Sequence, residues 1–356
     1  MNNNFYDNPF EPRRQFDFYD MLAIKDARRT VSRSMLGIFL VNLISTLALY
    51  AIYLVLYLTL GRSAFIALAE NPYFYVPMST VALYTISLPP LFLVTRSVPR
   101  RRIRHSEGMS GIELLAIIPI AQIAMTLGAN IGLIFDSIFS TIFGVISIDP
   151  VDTLTSECPI WLLVLITVLI GPVIEELIFR KVLLDRLSVY GNVFAIITSA
   201  VAFGLFHGNF YQMFYAAAFG MVLGYVAIKS GSWLYSVGLH MFVNLFNGVL
   251  PTVLEDEIND FYVALEGMLV GDSRAFTSNA SAFLLGGSFV AIQSILSLAG
   301  IAILVYALIK RKIKIQNKPE CAIPKGAVGR VVFGNVGTIL FFVLCTVNVL
   351  LYYLPY

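Results

Sequence analysis

Apolar residues run along this 356-residue chain in blocks of roughly 20, the length an α-helix needs to cross a hydrocarbon core. The blocks fall at 36–60, 74–95, 112–134, 160–179, 193–206, 211–228, 234–250, 283–309 and 331–354. Polar stretches between them are short, and the longest, 251–282 and 310–330, show no apolar periodicity that could bury a core. The pattern therefore predicts an all-α fold, a polytopic transmembrane helical bundle of about 8–9 spans in one membrane domain. Its expected organisation is a cytoplasmic N-terminal tail over 1–35, then N-terminal transmembrane helices over 36–159. A central unit over 160–250 follows and holds nearly all the polar residues that need explaining, and an outer loop with C-terminal transmembrane helices fills 251–356. No internal repeat of the kind many transporters carry is visible.

Composition moves the chain firmly into lipid: 58% of residues are hydrophobic and 13% charged, and mean hydropathy is +0.80, outside the range of soluble globular domains. The net charge of +2 says little, but the placement of the charges says more, because cytoplasmic loops concentrate Lys and Arg. Arg13, Arg14, Lys25, Arg28, Arg29 and Arg33 precede the first block, and Arg96, Arg100, Arg101, Arg102 and Arg104 follow the second. Lys181 and Arg186 follow the fourth, Lys229 closes the sixth, and Lys310, Arg311, Lys312, Lys314 and Lys318 follow the eighth. The intervening stretches are acidic instead, with Asp149, Asp152 and Glu157 in one and Glu255, Asp256, Glu257, Asp260, Glu266 and Asp272 in another. An odd number of spans with the N-terminus inside fits this alternation. The first 20 residues hold no apolar core, so the first span is expected to direct insertion. Residues 16–33 mix aromatic, aliphatic and basic side chains, and a solvated tail is expected there rather than a helix along the inner leaflet. Cys158, Cys321 and Cys345 fall in an outer loop, an inner loop and a span, so neither a disulfide framework nor a cysteine metal site is expected.

Gly108-Met109-Ser110-Gly111 spells the GxSG nucleophile sequence of rhomboid serine proteases. It follows a basic run, however, and Ser110 with Glu113 three residues on is the signature of a helix capping box. The chemistry lies elsewhere. The fourth block ends in Gly171-Pro-Val-Ile-Glu175-Glu176-Leu-Ile-Phe-Arg180, which puts two carboxylates and a guanidinium at its expected cytoplasmic end. An ionised group at a helix centre costs about 2.5 to 3.5 kcal/mol on insertion scales, so such a cluster needs compensation or a task. Glu176 and Arg180 are about 40° apart in azimuth and can pair, whereas Glu175 lies about 140° from Arg180 and is left free. The fifth block ends in Phe203-Gly-Leu-Phe-His207, and the seventh holds His240-Met-Phe-Val-Asn244 with Asn247 continuing that face. Taken singly, each histidine could be a satisfied interhelical hydrogen bond. Together with the paired glutamates they are the parts of a hydrolase without a covalent nucleophile: a carboxylate that takes a proton from water, with imidazole and amide donors for the oxyanion.

EExxxR, FxxxH and HxxxN, in this order, resemble the CAAX prenyl protease and bacteriocin-processing (Abi) family over 160–250, a quarter of the chain. The resemblance implies an all-helical bundle with its active site inside the bilayer, open to the cytoplasm. It implies that Glu175 activates water, His207 assists, and His240 with Asn244 stabilises the oxyanion. Glu176 and Arg180 are then supporting charges, with Phe203 and Asn247 beside them. Lys181 departs from the family, which commonly has glycine after the arginine. On straight helices His207 is expected nearer the outer face than Glu175 and His240, so tilt or displacement has to bring them together. No cofactor is expected. Zinc held by Glu175, His207 and His240 is the runner-up, although no HExxH helix is present. The expected partners are the bilayer, most naturally a bacterial plasma membrane, and a membrane-bound or lipidated peptide or protein substrate. Nucleic acid is not expected, and the sequence fixes no oligomeric state. A non-catalytic immunity or scaffold protein and a proton-coupled transporter remain as alternative classes.

Overall fold

A computed structural model of the chain describes residues 16–100, 108–145, 158–271, 280–313, 315 and 319–354, and among them the regular structure is helical throughout. The helices are α1 (Phe18–Leu60), α2 (Arg62–Ala69), α3 (Pro72–Thr95), α4 (Gly111–Phe143), α5 (Ile160–Tyr190) and α6 (Asn192–Phe206). After them come α7 (Phe210–Ser230), α8 (Trp233–Val253), α9 (Glu255–Leu269), α10 (Phe283–Ile309), α11 (Val328–Phe333) and α12 (Val336–Tyr352). Seven of these, α1, α3, α4, α5, α7, α8 and α10, are long and apolar enough to cross a membrane, and α6 and α12 are shorter apolar helices. The chain is a polytopic helical bundle. Arg13, Arg14, Arg101, Arg102, Arg104, Asp149, Asp152, Glu157, Asp272, Lys314 and Lys318 lie outside the described residues.

Residues 18–33 are not a solvated tail but the first turns of α1. Asp17 caps the helix by accepting from Asp20 N at 2.7 Å. Ile24, Ala27, Val31, Ser34, Met35, Ile38 and Val41 then form one buried stripe at helical spacing. Lys25, Arg28 and Arg29 lie off that stripe, and their charges hide it in the linear sequence. The stripe packs under α3 and α12, and Gly337 of α12 comes so close to Ser32 that a Cβ there would overlap its carbonyl oxygen. Small residues at such crossings let helices approach where lipid supplies no hydrophobic drive.

Ser110 opens α4 as a cap. Its hydroxyl accepts from Glu113 N at 3.2 Å, and the Glu113 carboxylate accepts from Ser110 N at 2.8 Å. The GxSG serine is thereby a helix start.

α5 carries the largest departure from the sequence pattern. The apolar block stops at 179, yet the helix continues to Tyr190, so Glu175 stands at mid-helix rather than at a cytoplasmic end. The charges that close the block are satisfied within the protein. Lys181 Nζ lies 3.2 Å from Asp185, and Arg186 donates to Thr95 O at 3.1 Å and Val182 O at 2.9 Å. Gly191, at φ 122°, then reverses the chain into α6. Glu175 and His207 lie equally far along the chain from Gly191, one on each arm, and both line one cavity despite the offset expected from shorter helices. α6 reaches across α7 closely enough that a Cβ at Gly204 would overlap Met213 O.

The helix α5 is also broken in register: α-helical Gly171–Glu176 sits between the π-helical stretches Val164–Ile170 and Leu177–Leu184. Such wide turns recur at functional sites. Here the first is followed by Pro172, which has no N–H. Gly171 N–H reaches back to Ile166 O, and in that register the next donor, to Thr167 O, is missing.

Candidate active site

Glu176 and Arg180 form the structural floor of the site. Both are fully buried, and Arg180 Nε lies 3.2 Å from Glu176 Oε2 as an ion pair whose N–H is not aligned as a hydrogen bond. Arg180 also donates to Ser199 Oγ at 3.3 Å and stands over the Phe203 ring, 5.0 Å from its centroid. The other oxygen of Glu176, Oε1, lies 3.1 Å from Nδ1 of His240. An ionised carboxylate only accepts, so this contact calls for a proton on His240 Nδ1, and in the neutral imidazole Nε2 is then the lone-pair nitrogen. That nitrogen faces Glu175, with Oε2 at 3.7 Å. His240 thus joins the two glutamates, and Glu175 is less free than its azimuth implied.

The two carboxylates differ in access. Glu176 has no exposure, whereas the Glu175 side chain keeps 18% and opens into a cavity of about 550 Å³ between α3, α4, α5, α6, α7 and α8. Phe203, His207, His240, Asn244 and Asn247 line this cavity with Glu175, so those six expected residues share one space. Glu176 and Arg180 stand behind its wall. Phe203 spaces the imidazoles, its ring centroid 5.1 Å from His207 and 5.8 Å from His240. His207 ends α6, and the turn through Gly208, at φ 67°, is held by Asn209, which donates to His207 O at 3.0 Å and caps α7 through Gln212 N at 2.9 Å. His207 Nε2 is buried with no hydrogen-bond partner.

Asn244 is engaged differently from its implied role. Its Nδ2 donates to Thr167 O at 2.8 Å, the carbonyl left without a donor by the wide turn and Pro172. Asn247 accepts from Gln293 of α10 at 3.2 Å. Tyr84, Gln122, Gln212 and Tyr215 also line the cavity and were not picked out from the sequence. Glutamines within apolar blocks are a usable signal; a tyrosine in a span is ordinary and gives none. Among the described residues no three His, Cys, Asp or Glu side chains converge as metal ligands, so Glu175, His207 and His240 share the cavity without forming a zinc-ligand set.

Residues 157–246 match the family model "Type II CAAX prenyl endopeptidase Rce1-like". "Putative membrane peptidase YdiL" of Bacillus subtilis (strain 168) is 25% identical over 169 residues, which cover 47% of this chain and 68% of that protein. No solved structure matches the chain.

Proposed function

We propose that the chain, whose residues 157–246 match this family model, is an intramembrane endopeptidase that hydrolyses a peptide bond with water activated by Glu175. The supporting observation is the way His240 links the glutamates while only Glu175 opens to the cavity. With His240 neutral, Glu175 Oε2 and His240 Nε2 are both acceptors, and 3.7 Å is too long for a direct hydrogen bond but suits a bridging water. A water donating to both turns its oxygen lone pair outward, toward a carbonyl in the cavity. Attack forms the carbon–oxygen bond, and the water proton passes to Glu175. The carbonyl electrons move onto oxygen, and collapse expels the amine, which takes that proton from Glu175. Arg180 and Glu176 keep His240 in the tautomer this geometry needs.

The cavity wall suits a neutral peptide. Gln122, Gln212, Asn244 and Asn247 offer amide groups, and among the described residues no Lys or Arg lines the space. The substrate we propose is a membrane-bound or lipidated peptide or protein that presents an uncharged segment there. Orientation follows from the charges: the N-terminus and the stretch from Arg96 to Arg104 are inside, and the helix α9 is outside. In a cysteine-accessibility experiment on intact cells, a cysteine at Asp256 is expected to react with an impermeant thiol reagent and one at Arg102 is not; the reverse pattern overturns the topology.

The test of the reading is to incubate the protein in nanodiscs with membranes from a host lacking it and to map new protein termini by mass spectrometry. Termini that appear with the wild type and not with Glu175→Gln support it, and none at all overturns it. The same termini are expected after exhaustive chelation. Their loss on chelation and return with zinc would move the mechanism to a metal-bound hydroxide.

A further inference from the structure

We propose that Tyr84 is a catalytic residue, its phenol O–H donating to the oxyanion formed at the scissile carbonyl. This inference rests on the peptidase reading above. Tyr84 belongs to α3, outside the residues matched by the family model, and sits in the π-helical turn Ala82–Ile86. It lines the same cavity as Glu175 and His207. Its hydroxyl lies against Gly171, where an added Cβ would stand 3.4 Å from Tyr84 Oη. Gly171 precedes Glu175 by one helical turn on the same face. The hydroxyl therefore stands over the space where the activated water would meet a carbonyl.

The count of donors carries the argument further. An oxyanion forming in an apolar, water-poor site needs hydrogen-bond donors set in advance. The Nδ1–H of His240 is given to Glu176, and in the neutral imidazole its Nε2 carries no proton to donate. Asn244 spends an amide N–H on Thr167 O. At the cavity wall, beside the amides of Gln122, Gln212, Asn244 and Asn247, stand the unpartnered Nε2 of His207 and the hydroxyl of Tyr84, which meets the Glu175 helix at Gly171. The Tyr84 phenol is a donor at the wall of the cavity, where a substrate oxyanion can accept from it. During the reaction the Tyr84 proton stays on the phenol oxygen. The proton released by water travels through Glu175 to the leaving amine, and Tyr84 O–H and His207 Nε2–H together hold the negative oxygen while the carbon–nitrogen bond breaks.

The experiment compares wild type, Tyr84→Phe and Glu175→Gln in nanodiscs, with the membrane proteome of a host lacking the protein as substrate. The readouts are the rate at which Glu175-dependent termini appear, its dependence on the amount of membrane, and the melting temperature. Tyr84→Phe keeps the ring and removes only the donor. The expected result is a rate about 10²-fold lower, as for other single oxyanion donors, with half-saturation and melting temperature as in the wild type. Cleavage at the wild-type rate overturns the assignment, and so does a fall in melting temperature that tracks the fall in rate, since the hydroxyl would then be structural. Absence of Glu175-dependent termini in the wild type overturns the peptidase reading itself, an outcome distinct from either of these.

Discussion

Replacing Glu175 by Gln is expected to slow single-turnover cleavage by on the order of 10³-fold, the contribution of a well-placed general base, while insertion, folding and substrate binding stay close to the wild type. Glutamine preserves the volume and can still hold a water, but it cannot take the proton. The structural cost is small because among the described residues Glu175 has no direct hydrogen-bond partner, and His240 Nε2 stands off at 3.7 Å. Partial exposure to the cavity also lets solvent compensate for the change. Single-turnover cleavage of a peptide identified by terminus mapping, together with its affinity measured on the inactive variant, provides the check. Normal cleavage by Glu175→Gln, with a well-folded Glu176→Gln inactive, would reverse the assignment of the two glutamates. Normal cleavage by both would end the glutamate mechanism and favour a binding role for the same helices.

That Glu176 rather than Glu175 pairs with Arg180 is legible in the sequence because it depends on azimuth within one helix, and the local spacing survives folding. Glu176 and Arg180, one turn apart, do meet. Features that depend on other helices were hidden. The end of α5 was misjudged because Lys181, Asp185 and Arg186 look like an aqueous boundary, and only the partners on α3 and within α5 show that they are accommodated in the bundle. The start of α1 was missed for a related reason: its basic residues mask a buried stripe that no apolar window registers. Nothing local announces that Asn244 answers a missing donor at Pro172, since that needs both a π-register turn and a neighbouring helix. The identities of the polar residues in the core were readable, whereas their hydrogen-bond assignments required three dimensions.

Glu176→Gln is expected to show itself first as instability. Glu176 has no exposure and is contacted from two sides, by Arg180 Nε at 3.2 Å and by His240 Nδ1 at 3.1 Å. Neutralising it strands a guanidinium that is itself fully buried and whose Nη2 already lacks a hydrogen-bond partner. Removing one member of a buried ion pair typically costs about 3 to 5 kcal/mol, most of it the penalty of the charge left behind. The double variant Glu176→Gln, Arg180→Gln removes that charge as well, so it is expected to recover part of the lost melting temperature. It should not recover the rate. Without the anion, His240 is no longer held with its proton on Nδ1, and the lone pair proposed to receive the water is lost for part of the population. Melting temperature and single-turnover cleavage of both variants in nanodiscs separate the effects. A Glu176→Gln protein as stable as the wild type would show that the pair carries little energy, and full activity in the double variant would remove His240 orientation from the mechanism.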